Sequence, residues 1–149
     1  MTGLTEIKKL TKLTLGDYAM MAEALFYLLV SDFLIYLLPM RWWISWIGEA
    51  RQAVDANPVP EHQKQTVRQV RKNVFRANKL LLKSSRCFAF SLAIKKMLSR
   101  RNIPVSLYLG VNKGETGNLK AHAWVKGGER IIYGGSNASE NYTQLISFG

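Results

Sequence analysis

From Ala19 to Trp43 the chain reads AMMAEALFYLLVSDFLIYLLPMRWW, apolar at almost every position. A run this dense predicts a helix buried on most of its sides, capped by Thr14 and carried to about Leu38 before Pro39 ends it. The run matches a bilayer span in length, about 20 residues. Glu23 and Asp32 inside it argue against spanning, because each acid costs roughly 2.5–3.5 kcal/mol near a bilayer centre. Attachment to a membrane surface or a docking partner stays open. Trp42, Trp43, Trp46 and Ile47 then recur at near-helical spacing and predict a second helix over MRWWISWIGEARQAVD, with the tryptophans as core or partner interface. The Pro-punctuated ANPVPEH separates it from a third helix, from about Pro60 to Leu82. There Val67, Val70, Val74 and Leu81 share one face, and Arg68, Lys72 and Lys79 lie outside. Ser84 or Ser85 can cap a fourth helix, Arg86 to about Arg100, whose Leu92, Ala93, Met97 and Leu98 face the core. Lys95, Lys96, Arg100 and Arg101 crowd its C-terminal end, where the helix dipole favours positive charge. Asn102 and Pro104 stop it.

After Pro104 the pattern changes. VSLYLGV (105–111) and KAHAWVK (120–126) have strand composition, with the turn-rich NKGETGN between them. Gly127–Gly128 marks a tight hairpin, ERIIYGG the returning strand, and YTQLISF a last strand. Helices first and strands afterwards predict an α+β fold. The expectation is a single domain over 1–149, helical over 14–100 and a sheet over 105–148.

Composition adds less than charge does. Hydrophobic residues make up 48% of the 149, enough for a real core. One cysteine excludes an intramolecular disulfide and suits a reducing cytoplasm, with peripheral membrane attachment left open. No small-residue cleavage site closes the apolar run, so a secretory signal is not expected. The net charge is +11, and from His62 to Gly114 there are thirteen Lys or Arg and no acid. Such a block is either a solvated face or an attractor for an anionic partner. Metal-ligand spacing, RNA-binding signatures and a helix-turn-helix pattern are all missing, so neither a metal nor a nucleic-acid partner is expected.

Candidate chemistry centres on Cys87, which would start the fourth helix. Unpaired N–H groups and the positive end of the dipole stabilise a thiolate there, with Arg86 beside it. A thiolate attacks carbonyls and needs a histidine brought in from another element. His62 falls in a polar loop and is expected in solvent. His122 lies mid-strand in AHAW, where small alanines leave room beside its ring. The bland alternative is a buried cysteine used as a small hydrophobe and a hydrogen-bonded core histidine.

RCFAFSLAIKKMLSRRNIPVSLYLGV followed by AHAWVKGGERIIYGG closely resembles the leader peptidases of lasso-peptide biosynthesis, stand-alone cysteine proteases with a transglutaminase-like, papain-related core. The Leu-rich helix, the proline and the Arg-rich segment upstream match that family as well, so the resemblance covers most of the chain. It implies Cys87 as nucleophile and His122 as base, cutting the leader from a ribosomally made precursor peptide through an acyl-enzyme. It implies no cofactor. It further implies a small leader-recognition protein as partner and an asparagine-synthetase-like cyclase acting with ATP in the same maturation.

One motif position departs from the family. Relatives carry an Asp about twelve residues after the histidine, where this chain has Gly134, and no Asp follows Asp55. Papain-like proteases use Asn in that role, which makes Asn137 the candidate orienting side chain. A backbone carbonyl or water holding His122 is the alternative. Trp124 alternates onto the same face as His122, either as a wall of the substrate groove or as support. Two competing functions share these residues: an acyltransferase on the same fold, and a non-catalytic basic module holding an acidic peptide or nucleic acid.

Overall fold

The protein is described by a computed structural model over residues 13–51, 57–81, 87–114 and 117–149. Helix α1 (Leu15–Leu37) opens on a capping box. The Asp17 N–H donates to Thr14 Oγ1 at 3.2 Å, and the Thr14 N–H donates to Asp17 Oδ2 at 3.3 Å. Only one side of α1 is buried, through Met21, Ala24, Tyr27, Leu28 and Ser31. Leu15, Tyr18, Phe26, Leu29, Phe33 and Tyr36 are exposed, which corrects the expectation of burial on most sides. The helix is apolar all round, so its pattern does not say which side the rest of the chain will cover. By length and hydropathy α1 could cross a membrane; here it packs against α3 (Lys64–Leu80) and α4 (Cys87–Ser99). Two of its acids face inward. Asp17 accepts from Asn73 Nδ2 at 3.1 Å and pairs with Arg76, while Glu23 receives Arg100 and Arg101 at 3.1 and 2.6 Å.

Helix α2 covers Met40–Ile47 and stops well short of Asp55. Gly48 ends it at φ +148, where a Cβ would meet the Gly149 carbonyl oxygen at 2.2 Å, a close approach that only glycine allows. Lys96 donates to the Trp46 carbonyl at the same helix end. The chain then forms a two-residue strand, β1 (Ala50–Arg51), paired with Phe148 and Ser147. The sheet therefore draws one strand from within the expected helical half. Trp43 is buried, whereas Trp42 is exposed.

A 3-10 turn, Glu61–Gln63, leads into α3, whose Val70, Val74 and Ala77 are buried and whose Arg68, Lys72 and Lys79 are exposed. Helix α4 buries Leu92, Ala93, Met97 and Leu98 as expected, and Lys95 as well. The proposed caps Ser84 and Ser85, with Arg86, lie outside the described residues. So do the lead-in at 1–12 and the stretch at 52–56.

Four more strands follow: β2 (Ser106–Lys113), β3 (Leu119–Gly127), β4 (Arg130–Tyr133) and β5 (Thr143–Phe148), with a short helix α5 (Ala138–Asn141) before the last. The antiparallel sheet runs β1-β5-β2-β3-β4, so the final strand inserts beside β2. The β3–β4 turn is Gly128–Glu129, one residue later than expected; Gly127 pairs with Arg130 and Gly128 takes φ +61. One sheet face gives Leu107, Val125 and Phe148 to a core shared with α1, α3 and α4. The other carries a small cluster of Tyr108, Trp124 and Ala138. Helices followed by an antiparallel sheet make this an α+β fold.

Candidate active site

Cys87 is the first residue of α4 and is half-buried. As the first helical residue its N–H has no acceptor within the helix. One turn on, Ser91 Oγ donates to the carbonyl of Ala123 at 3.2 Å, which docks this helix face on β3 beside His122.

His122 sits where β4 has already ended. Its Nε2 lies 2.6 Å from the carbonyl oxygen of Gly134. A carbonyl only accepts, so Nε2 carries the proton and the neutral ring keeps its lone pair on Nδ1. The ring stacks on Tyr142 at 4.9 Å between centroids and on Trp124 at 6.3 Å. Trp124 is 1% exposed and lies parallel to Tyr108. It therefore supports the histidine from beneath and presents almost no surface to a ligand. Its indole N–H has no hydrogen-bond partner among the described residues.

Two glycines make room for this stack. Gly110 pairs directly with His122 on β2, and a Cβ there would come within 2.7 Å of the Trp124 ring. Gly134 holds φ +113, and a Cβ there would come within 2.3 Å of Trp124 Cβ. Sequence reasoning passed over Gly110. Its signal was a glycine late in a strand, which weakens the strand unless something approaches closely.

Tyr133 lines the same pocket as His122 and feels the charge of Cys87. Between Val125↔Tyr133 and Lys126↔Ile131 the register slips, so Ile132 is an extra residue that turns Tyr133 onto the helix side. Its ring stacks on Phe90 at 4.5 Å. Burial raises its phenol pKa, and the negative charge of an ionised Cys87 raises it further. Tyr133 also lines a pocket of about 440 Å³ with His122, Gly134, Ser136, Arg71 and Phe75. Cys87 therefore lies within electrostatic reach of Tyr133 at the start of α4, and Tyr133 shares its pocket with His122 of the adjoining β3. No hydrogen bond joins Cys87 and His122 directly, and Cys87 does not line the pocket.

Asn137 is exposed just before α5, and its side chain makes no capping bond. It does not reach His122, whose ring is held by the Gly134 carbonyl instead. His62 is exposed in the 3-10 turn. Among the described residues no cluster of His, Cys, Asp or Glu could hold a metal ion.

The model of the transglutaminase-like superfamily matches residues 34–147, most of the chain. The chain belongs to the transglutaminase-like superfamily. The match begins near the end of α1 and takes in the Cys87 helix and β2 to β5, the elements around these residues. No curated protein and no solved structure matches the chain. Cysteine peptidases and acyltransferases both occur in this superfamily, and Cys87 at a helix start with His122 on the adjoining strand is compatible with either.

Proposed function

We propose that this transglutaminase-like protein is a cysteine peptidase that removes the leader from a lasso-peptide precursor, with Cys87 as nucleophile and His122 as base. The observation that carries the reading is the tethered histidine. With Nε2 bonded to Gly134, Nδ1 is the nitrogen left to take a proton. In the reaction Nδ1 takes the Cys87 proton and the thiolate adds to the carbonyl carbon of the scissile peptide. The C–N bond then breaks, and the histidinium returns the proton to the departing amine. The leader is left as a thioester on Cys87. Water, deprotonated by the same ring, adds to the thioester and releases the leader acid and the free thiol. The Cys87 N–H, which has no acceptor within its own helix, would contribute to the oxyanion site. Proton transfer requires the Cys87 thiol and His122 Nδ1 to come within hydrogen-bond reach of each other.

The resemblance supplies the partners: the precursor, a small leader-recognition protein that delivers it, and an asparagine-synthetase-like cyclase. The location it suits is the cytoplasm, with α1 available for peripheral attachment to a membrane. The test is mass spectrometry of a lasso precursor incubated with the protein and its leader-recognition partner. Leader release by wild type, lost in Cys87→Ala and in His122→Ala, is expected. An intact precursor with the complex demonstrably formed would overturn the reading. That result would favour a non-catalytic binding module, to which the missing Cys87–His122 hydrogen bond already lends weight. A released product carrying an added amine would instead mark an acyltransferase.

A further inference from the structure

The outward face of α3 carries Arg68, Arg71, Lys72, Phe75, Arg76 and Lys79 along one groove. Their spacings of three and four residues stack them on a single helix side. Arg76 is engaged by Asp17. Arg68, Arg71 and Lys72 form no ion pair with any described residue, and all three are exposed. Like charges one turn apart repel each other, so this arrangement is better satisfied by an anionic ligand than by solvent alone. No acid occurs between His62 and Gly114; the nearby carboxylates are Glu61, whose charge reaches Arg68, and Glu129, which shares an adjoining pocket with Arg68 and Arg71.

The groove does not end on open surface. Arg71 and Phe75 also line the pocket that holds His122, Tyr133 and Gly134. From Arg68 to Lys79 the helix rises about 16 Å, the reach of roughly five residues of extended chain. An extended peptide laid along α3 would run directly into the pocket that holds His122 and Tyr133.

We infer that this groove binds an acidic stretch of the peptide whose scissile bond is presented to Cys87 and His122; the inference rests on the peptidase reading above. Arg68 and Lys72 hold its carboxylates, and Arg71 stands at the junction with the pocket. A single-stranded nucleic acid is the less suitable occupant. Its binding sites combine cations with open aromatic platforms for the bases. Phe75 is the groove's one ring; it is 41% exposed, with Arg71 over it at 5.7 Å and Phe90 packed against it at 4.7 Å, so the groove offers a single platform where a strand of bases needs several.

The test uses the full chain carrying Cys87→Ala, so that binding is read without turnover. The ligands are a fluorescein-labelled peptide rich in Asp and Glu, its Asn/Gln counterpart, and a labelled oligothymidylate. Fluorescence anisotropy is expected to show the acidic peptide binding at least about tenfold tighter than its amide counterpart, an advantage lost at high salt. Adding Arg68→Glu and Lys72→Glu, both exposed, should remove that preference while the circular dichroism spectrum stays the same. Equal binding of the two peptides would overturn the inference, as would oligothymidylate binding tighter and responding to the same substitutions. If the peptidase reading fails, the anisotropy result still stands. If leader release succeeds but the two charge reversals leave the KM for an acidic leader unchanged, only the groove is overturned.

Discussion

His122 Nε2 and the main-chain oxygen of Gly134 lie 2.6 Å apart, so backbone holds the ring at the position where the resemblance to the leader peptidases implies an aspartate. Introducing that aspartate should harm the protein. In Gly134→Asp the new Cβ would fall 2.3 Å from Trp124 Cβ, at a φ of +113 that side chains rarely adopt. Backbone strain and overpacking together should cost roughly 3 kcal/mol or more. Urea denaturation measures this, and a variant as stable as wild type would mean that the turn rearranges freely.

Asn137→Ala separates the two candidates for orienting the histidine. The side chain is exposed and makes no bond to the ring. Stability should change by no more than about 0.5 kcal/mol, and leader release should be unaffected. A large loss of release with intact folding would return Asn137 to the site.

His122→Ala should slow leader release by roughly 100-fold or more, while anisotropy with an acidic peptide stays as in wild type. A parallel loss of binding would show that the ring holds substrate instead of moving protons.

Two adjacent leucines on α1 should behave oppositely. Leu28 is fully buried and Leu29 is 56% exposed. Leu28→Ala should cost about 2–5 kcal/mol, and Leu29→Ala should stay within about 0.5 kcal/mol in the monomer. Equal costs in denaturation would mean that the outer stripe of α1 is covered in solution.

Lys95 gives the stability a pH signature. It is buried against the Gly149 carbonyl at 3.0 Å, and burial, with Lys96 nearby, lowers its pKa from 10.5 to about 8. Between those values the unfolded chain holds a proton that the folded chain has released, so stability rises with pH across that window. Below it both states are charged and the cost of burying the ammonium is fully felt. Lys95→Met should therefore be more stable than wild type at pH 7, with the advantage shrinking as pH rises from about 8 to 10.5. A constant difference across that range would contradict the depressed value.

Local patterns specify much of this molecule. The capping residue Thr14, the valine face of α3, the apolar face of α4 and the strand composition after Pro104 are all set by neighbours within a few residues, and the corresponding elements formed. Cys87 at a helix start and His122 and Trp124 on one strand face were legible for the same reason. Contacts between distant residues decided the rest. Gly48 stops α2 because the chain end at Gly149 crosses it, and β1 exists only because β5 arrives beside it. One side of the uniformly apolar α1 is buried because α3 and α4 cover that side alone. The orienting group of His122 is a carbonyl, which every residue carries and no composition reveals. It became available when an extra residue in β4 turned Tyr133 toward Cys87 and left Gly134 facing the ring.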